Sequence, residues 1–255
     1  MLGAIIGDIV GSIYEWNNIK TTEFEFFSKR CFFTDDTVLT AATASVLMTG
    51  GDYTQAYQDF SRRYPGRGYG GNFSSWIHTD HPQPYNSWGN GSAMRISPIG
   101  FAFDTFEEVL SEAERSAAVT HNHPEGIKGA QATALAILLA RKGATQPEIR
   151  KEISQRFAYD MNRSLAEIRP IYQFNESCQE TVPEAILAFL ESNGFEDAIR
   201  KAISLGGDSD TLACITGGIA EAYFGIPEDL AQQGRGFLPQ EFLQILDDFQ
   251  QYCQR

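Results

Sequence analysis

Two short segments, far apart in the chain, place paired carboxylates beside threonine hydroxyls. TDDT occupies positions 34–37, and DSDT occupies positions 208–211. An alanine-rich stretch with helical spacing of its apolar residues follows each one, so the acids fall where a helix is predicted to begin. Carboxylate and hydroxyl oxygens are the ligands that Mg²⁺ and Mn²⁺ prefer. The two segments together are a candidate site for divalent cations.

The N-terminal stretch GDIVGSIYE (7–15) supplies further acids on the first predicted helix. Gly3, Gly7 and Gly11 recur every four residues and form a smooth stripe that allows close packing against another helix. Asp8 and Glu15 are seven residues apart, which places them on roughly one face of that helix. Glu15 is therefore expected to reach the same site as the two acidic segments.

Helix capping offers a simpler explanation for a single acid, because the free N–H groups and the dipole of a helix N-terminus favour negative charge. Asp35 or Asp208 would then be an ordinary N-cap. Capping needs only one side chain, whereas each segment offers two acids. Together with Glu15, these acids would repel one another strongly in a medium of low dielectric. We therefore expect two divalent cations to offset most of this charge.

The composition limits the partners of the chain. With 255 residues and a net charge of −13, it lacks the clustered lysines and arginines that general binding to nucleic acid or an anionic membrane requires. No apolar run reaches the roughly 18–20 residues that cross a bilayer, and the apolar start carries Asp8 but no basic segment, unlike a signal peptide. The four cysteines show no C-x-x-C spacing and are expected to be buried thiols. We expect a cytoplasmic monomer.

Helical periodicity dominates the chain and predicts a mostly α-helical single domain over residues 1–255. The predicted helices cover 36–48, 127–144, 182–194, 195–207, 210–225 and 238–252. Residues 24–33 are aromatic enough for a strand, but no partner of matching alternation follows. Residues 64–98 are rich in glycine, asparagine and aromatics and show little periodicity. Because disordered segments are poor in aromatics, we expect this stretch to be an ordered ligand-binding surface.

Five motifs give a specific resemblance. GAIIGDIVGSIYE, TDDT, GNGSAMR, THNHP and GGDSDT occur in the order and at the spacing of the ADP-ribosylglycohydrolase family, from about residue 1 to residue 225. The resemblance implies a compact, all-α, multi-helix orthogonal bundle with a binuclear Mg²⁺ or Mn²⁺ centre at the base of a cleft. It implies as metal ligands Thr34, Asp35, Asp36, Asp208, Asp210 and Thr211. Glu15, which matches a flexible acid near the metals, and Asp36 are the expected catalytic residues.

The resemblance also implies the substrate: an ADP-ribosylated protein or a small molecule that contains ADP-ribose, cleaved at the N- or O-glycosidic bond of C1″. The expected substrate-binding residues are Gly70, Ser87, Trp88, Gly89, Asn90, Gly91, Ser92, Met94 and His121. Gly70 belongs to GRGYGG (66–71), which resembles a loop that covers the terminal ribose. Trp88 would stack on the adenine or, alternatively, lie in the core, and His121 would hydrogen-bond a ribose. Backbone N–H groups at SWGNGSAMR (87–95) would bind the diphosphate, although Asn90-Gly91 alone is also typical of a turn.

Three functions stay open at this point. A metal-dependent ADP-ribosyl hydrolase fits all five motifs. A non-catalytic ADP-ribose-binding module is the second, and the intact acids argue against it. A different metal hydrolase, acting on a phosphoester or a small amide, is the third, and the long glycine-aromatic stretch favours a nucleotide-sized ligand over it. Ser87 stands where some arginine-specific members have an acid, which disfavours arginine-linked substrates and leaves serine, O-acetyl and nucleic-acid-end linkages open.

Overall fold

The computed structural model describes residues 1–254. Over these residues the chain forms fifteen helices and no strand, apart from an isolated bridge between Gly89 and Ser177. The helices are α1 (Leu2–Gly11), α2 (Asp35–Thr49), α3 (Tyr53–Arg63), α4 (Gly71–Ile77), α5 (Gly91–Met94), α6 (Ser97–Ala102), α7 (Phe106–Ala118), α8 (Pro124–Arg141), α9 (Gln146–Phe157), α10 (Leu165–Ile168), α11 (Cys178–Leu190), α12 (Phe195–Ile203), α13 (Ser209–Phe224), α14 (Glu228–Arg235) and α15 (Gln240–Tyr252). The all-α prediction is confirmed.

Each predicted helix overlaps an observed one, and two of the boundaries that differ have clear reasons. Helix α11 begins at Cys178 and not at 182, because the side chain of Ser177 caps it by accepting a hydrogen bond from the Glu180 N–H. Helix α12 ends at Ile203 and not at 207, because Gly206 and Gly207 adopt left-handed conformations with φ of 73° and 71°. Such conformations suit glycine and end a helix. The end of α12 at Ile203 and the glycine turn after it set the position of Asp208.

Residues 64–98 are ordered, but they are not one long loop. They contain the whole of α4 and α5 and the first residues of α6. Phe73 and Trp76 are buried and stack with their ring centroids 5.4 Å apart. Residues 24–33 form turns and bends, and Phe26 and Cys31 pack into the core.

Helix α1 packs along α13, and the glycine stripe permits the contact. A Cβ atom at Gly7 would lie 2.0 Å from the carbonyl oxygen of Ala213, and one at Gly11 would lie 2.5 Å from the Cα atom of Asp210. Both distances are too short for any real side chain. The predicted role of the stripe in close packing is confirmed, and it holds the end of α1 against the start of α13.

The core has α13 at its centre, where it contacts α1, α8, α11 and α12. Its residues from Ser209 to Ala220 are all buried. Three of the four cysteines are buried thiols as predicted, but Cys253 is exposed near the C-terminus. None of the helices within residues 1–254 combines the length and the apolar character needed to cross a membrane.

Candidate active site

The two acidic segments meet at one end of a cleft of about 200 Å³. Its lining includes most of the residues predicted from the sequence: Glu15, Asp35, Asp36, Gly70, Ser87, Gly89, Asn90, Gly91, Met94, His121, Asp208, Asp210 and Thr211. Thr34, Trp88 and Ser92 do not line it. The fold therefore gathers residues from six separate stretches of the chain around one cavity.

Side-chain oxygens converge tightly at the base of the cleft. One carboxylate oxygen from each of Glu15, Asp208 and Asp210 lies within 4.8 Å of the other two. Asp36 Oδ1 and Asp210 Oδ1 are buried and have no hydrogen-bond partner among the described residues. Thr211 Oγ1 lies 3.5 Å from Asp36 Oδ2 and so joins the starts of α2 and α13. Buried carboxylate oxygens without donors are expected where a cation supplies the missing partner.

Helix capping does not account for these acids. Thr34, not Asp35, is the N-cap of α2, and its hydroxyl accepts a hydrogen bond from the Asp36 N–H. Asp208 stands at the N-cap position of α13, but its side chain makes no capping bond. It accepts a hydrogen bond of 2.7 Å from Asn90 Nδ2 instead. Neither Asp35 nor Asp208 caps a helix with its carboxylate, so capping does not explain why these acids are present.

The electrostatics of the cluster are unfavourable without bound cations. Burial raises the pKa values of Asp35, Asp36 and Asp210 well above the ordinary value of 3.8, and neighbouring carboxylates raise them further. The pKa of Glu15 is raised to about 7, first by burial and then by the charge of Asp208. Each shift reflects a carboxylate whose charged form is destabilised. A divalent cation among them would reverse this effect.

Glu15 does not lie on the first helix, contrary to the prediction. Helix α1 ends at Gly11, where it meets the backbone of Ser209 and Asp210, and the chain then turns with the Tyr14 N–H donating to the Gly11 carbonyl. Asp8 and Glu15 therefore share no helix face. Glu15 stands on a turn, and its side chain lines the cleft.

Asp8 instead holds the TDDT segment in place through hydrogen bonds. It is fully buried, and it accepts hydrogen bonds from the backbone N–H groups of Thr34 and Thr37 at 3.0 and 3.1 Å and from both hydroxyls. Four donors on one carboxylate fix the backbone on either side of Asp35 and Asp36. Asp8 thus positions those two acids and does not line the cleft itself.

Asn18, which the sequence did not single out, joins the Glu15 turn to the start of α13. Its Nδ2 donates to the carbonyl oxygens of Glu15 and Gly207 at 2.8 and 2.9 Å, and its Oδ1 accepts from the Gly207 N–H at 2.7 Å. One side chain therefore connects the backbone of Glu15 to the glycine turn that precedes Asp208. No periodicity or motif marks such a long-range contact.

The GNGSAMR segment is only partly available to an anion. The Asn90 N–H donates to the Glu176 carbonyl oxygen at 2.7 Å, and the Gly89 N–H donates to Ser87 Oγ at 3.1 Å. The predicted array of free N–H groups is therefore already engaged at these two positions. Ser92 is buried and donates to the Gly126 carbonyl oxygen at 2.7 Å, so it connects α5 to α8 and does not face the cleft.

Aromatic side chains surround the cleft. Trp88 is half exposed, so its alternative interpretation as a core residue is wrong. Further lining residues that the sequence analysis did not name as site residues are Leu39, Gly68, Gly71, Asn72, Phe73, Tyr85, Arg95, Phe174 and Glu176. Trp16, next to Glu15, stacks on Phe174 with ring centroids 5.2 Å apart. Phe73 and Tyr85 belong to the glycine-aromatic stretch, whereas Phe174 and Glu176 carried no sequence signal.

The all-α domain thus brings two acid-bearing helix N-termini and a glycine-lined wall together around one cleft. The chain belongs to the ADP-ribosylglycohydrolase family, whose model matches residues 1–255. The resemblance predicted from the five motifs is confirmed.

Individual relatives agree with this family. The chain is 27% identical to ADP-ribosylhydrolase ARH3 of Mus musculus, over 93% of this chain and 86% of that protein. It is 28% identical to ADP-ribosylarginine hydrolase Tri1 of Pseudomonas putida (strain GB-1), but over only 54% of this chain and 39% of that protein. A solved structure, an ADP-ribosylglycohydrolase-related protein complex, superposes with a TM-score of 0.70 at 25% identity and covers 99% of this chain and 94% of that one.

Proposed function

We propose that this protein is a metal-dependent hydrolase that cleaves the N- or O-glycosidic bond at C1″ of ADP-ribose. It would release ADP-ribose from a modified protein side chain or from a small molecule. The observation that carries this proposal is the convergence of Glu15, Asp208 and Asp210, with oxygens within 4.8 Å of one another, at the base of the cleft. Family membership supports the hydrolase class.

The donor set fits hard divalent cations. The proposed metal ligands are Thr34, Asp35, Asp36, Asp208, Asp210 and Thr211, all of which offer oxygen. The buried and unpartnered Asp36 Oδ1 and Asp210 Oδ1 are the strongest support for this assignment. Thr34 Oγ1 already donates to Asp8 and accepts from the Asp36 N–H, which leaves it one lone pair for a ligand. Two bound Mg²⁺ or Mn²⁺ ions would hold the 2″ and 3″ hydroxyls of the distal ribose and lower the pKa of a water molecule.

Glu15 is proposed as the general acid–base residue. Its pKa of about 7 lies close to a neutral working pH, which is where proton transfer in both directions is most efficient. It stands on a turn outside both metal segments, so it can reach the leaving group or the attacking water. Asp36 is the second proposed catalytic residue, because one of its oxygens faces Thr211 and the other is unpartnered.

The walls of the cleft suit a ligand that carries charge and sugar hydroxyls. Gly70, Gly89 and Gly91 allow close approach of the backbone, and Met94 adds an apolar surface. Because the Gly89 and Asn90 N–H groups are already engaged, the remaining backbone N–H groups of this wall are proposed to bind the diphosphate. Trp88 lies in sequence between the lining residues Ser87 and Gly89 and is half exposed, and it is proposed to stack on the adenine, an interaction that contributes roughly 1–3 kcal/mol.

An O-linked acceptor is the substrate class that we propose. Ser87 lines the cleft at the position where some arginine-specific relatives have an acid, so no carboxylate at that position would pair with a guanidinium. Serine-linked ADP-ribose and O-acetyl-ADP-ribose both fit this requirement. The relative Tri1, named as an arginine hydrolase, makes the arginine linkage a necessary comparison.

The proposal is tested with a panel of three substrates: a serine-ADP-ribosylated peptide, an arginine-ADP-ribosylated peptide and O-acetyl-ADP-ribose. Each is incubated with the protein and Mg²⁺ or Mn²⁺, and free ADP-ribose is measured by mass spectrometry. We expect release from at least one O-linked substrate and little from the arginine peptide. The Glu15→Gln variant is the control for contaminating activity. Binding of ADP-ribose without release from any substrate would favour the non-catalytic binding module instead.

A further inference from the structure

A buried chain of hydrogen bonds joins Arg95 to His121 through Thr120. Arg95 is fully buried, its guanidinium lies 4.2 Å from the centre of the Tyr57 ring, and its side chain donates to Thr120 Oγ1 and to the Ser116 carbonyl oxygen, both at 2.9 Å. Thr120 Oγ1 in turn lies 2.7 Å from His121 Nδ1. The two ends of the chain, Arg95 and His121, both line the cleft.

The direction of each bond follows from the donors available. A guanidinium only donates, so the oxygen of Thr120 must accept from Arg95. The single hydroxyl proton of Thr120 then needs an acceptor, and His121 Nδ1 is the one that its geometry provides. Nδ1 accepts only if it carries no proton. A neutral imidazole bears its one proton on the other nitrogen, Nε2.

The surroundings also keep the His121 ring neutral. Burial holds the pKa of His121 well below its usual 6.5, and the charge of Arg95 lowers it further. Tyr85 is an ionisable side chain beside the ring, with its ring centroid 6.1 Å away and its pKa raised to about 12 by burial. It is uncharged near neutrality and adds no negative charge that would stabilise an imidazolium.

We infer that Arg95 and Thr120 are positioning residues that lock His121 in the Nε2–H tautomer, so that the ring presents one fixed, uncharged donor to the cleft. Nε2 stands at the GNGSAMR turn, 3.1 Å from the point that a Cβ atom at Gly91 would occupy and 3.5 Å from the corresponding point at Gly89. A donor at this place recognises an oxygen acceptor. This assignment rests on the proposed function: the acceptor is a ribose hydroxyl or a diphosphate oxygen of ADP-ribose.

The tautomer is tested without any ligand, by nitrogen-15 NMR of the histidine-labelled protein at neutral pH. The chain has only four histidines, and a His121→Asn variant identifies the signals of His121. We expect an unprotonated Nδ1 and a protonated Nε2. A proton on Nδ1, or a charged ring, would overturn the inference. Because this spectrum needs no substrate, it stands apart from the outcome of the ADP-ribose experiments.

The matched variants Thr120→Val and Thr120→Ser test whether the Thr120 hydroxyl positions His121. Valine keeps the shape but removes the hydroxyl, so His121 should lose its single tautomer and ADP-ribose should bind roughly tenfold more weakly, as for one lost hydrogen bond. Serine keeps the hydroxyl and should restore both readouts. Unchanged affinity in a folded valine variant would refute the positioning role, and if valine prevents folding, the wild-type spectrum decides.

To identify which part of the ligand carries the acceptor, the affinities of ADP-ribose, ADP and adenosine are measured for the same pair of variants. A loss confined to ADP-ribose identifies the distal ribose, a loss shared by ADP-ribose and ADP identifies the diphosphate, and a loss that extends to adenosine identifies the proximal ribose. Each of these outcomes supports the fixed donor. Failure of the wild-type protein to bind ADP-ribose at all would count against the proposed function, while the tautomer would still be judged by NMR.

Discussion

Removal of divalent cations should make the stability of this protein fall as the pH rises. Asp8 is fully buried, and its pKa is raised from 3.8 to about 6, because burial outweighs the hydrogen bonds from Thr34 and Thr37. The folded state therefore holds this proton more tightly than the unfolded state, and ionisation destabilises the fold. The cost begins above the unfolded pKa of 3.8 and is complete above about 6.

The magnitude follows from the shift. A change of roughly two pKa units corresponds to about 3 kcal/mol of unfolding free energy for Asp8 alone. Asp35, Asp36 and Asp210 are shifted in the same direction and add to the loss. In a protein of this size, about 3 kcal/mol lowers the melting temperature by roughly 6–12 °C. We therefore expect a clear drop in melting temperature in EDTA between about pH 4 and pH 6, which the shifts of the other three acids extend toward higher pH.

The assay is thermal unfolding by circular dichroism across that pH range, with EDTA or with Mn²⁺. Mn²⁺ should stabilise most at the higher pH, because deprotonated carboxylates are the ligands. Glu184→Gln is a control, since that buried acid also has a pKa raised to about 6 but lies outside the cleft lining. The effect of Mn²⁺ should survive in this variant and shrink in Asp36→Asn. A melting temperature that rises with pH in EDTA would refute the reasoning. So would a melting temperature whose dependence on pH is the same with and without Mn²⁺.

Three substitutions test individual assignments. Glu15→Gln should keep ADP-ribose affinity but slow turnover by about 10² to 10⁴; a matching collapse of affinity, measured by calorimetry, would make Glu15 a structural ligand. Asp208→Asn should abolish turnover while raising the melting temperature of the metal-free protein, because it relieves carboxylate repulsion; a wild-type rate would show that the ligand assignment is wrong. Gly91→Val should weaken ADP-ribose binding far more than metal binding, since its first added carbon would stand 3.1 Å from His121 Nε2; equal calorimetric affinities for ADP-ribose would place the ligand elsewhere.

The helices and the acidic segments were predictable from local pattern. Apolar residues at three- and four-residue spacing mark the buried faces of helices such as α12 and α15, because burial on one side is what produces that spacing. The segments TDDT and GGDSDT were recognisable because each concentrates acids where a helix begins. The glycine stripe of α1 was equally readable, since a repeat of small residues has few other uses.

Long-range contacts account for what the sequence did not predict. The sequence places Glu15 at the right helical spacing from Asp8, yet α1 stops at Gly11, where it meets the backbone of α13. Asn18 and Thr120 act through partners in other helices or turns, so neither carries a local signal. Ser92 lies in a motif but serves the contact with α8. Residues whose role depends on tertiary contacts are invisible to periodicity and spacing.

The most direct test of the central claim is turnover of an O-linked ADP-ribosyl substrate after exhaustive chelation, followed by titration with metal. The proposed site predicts that ADP-ribose release stops in the metal-free protein. Mg²⁺ or Mn²⁺ should restore it, with full activity at two ions per chain, and Zn²⁺ should restore it poorly because the ligands are all oxygen. Full turnover in protein shown by elemental analysis to contain no metal would contradict the two-metal site, whatever the acids at its base.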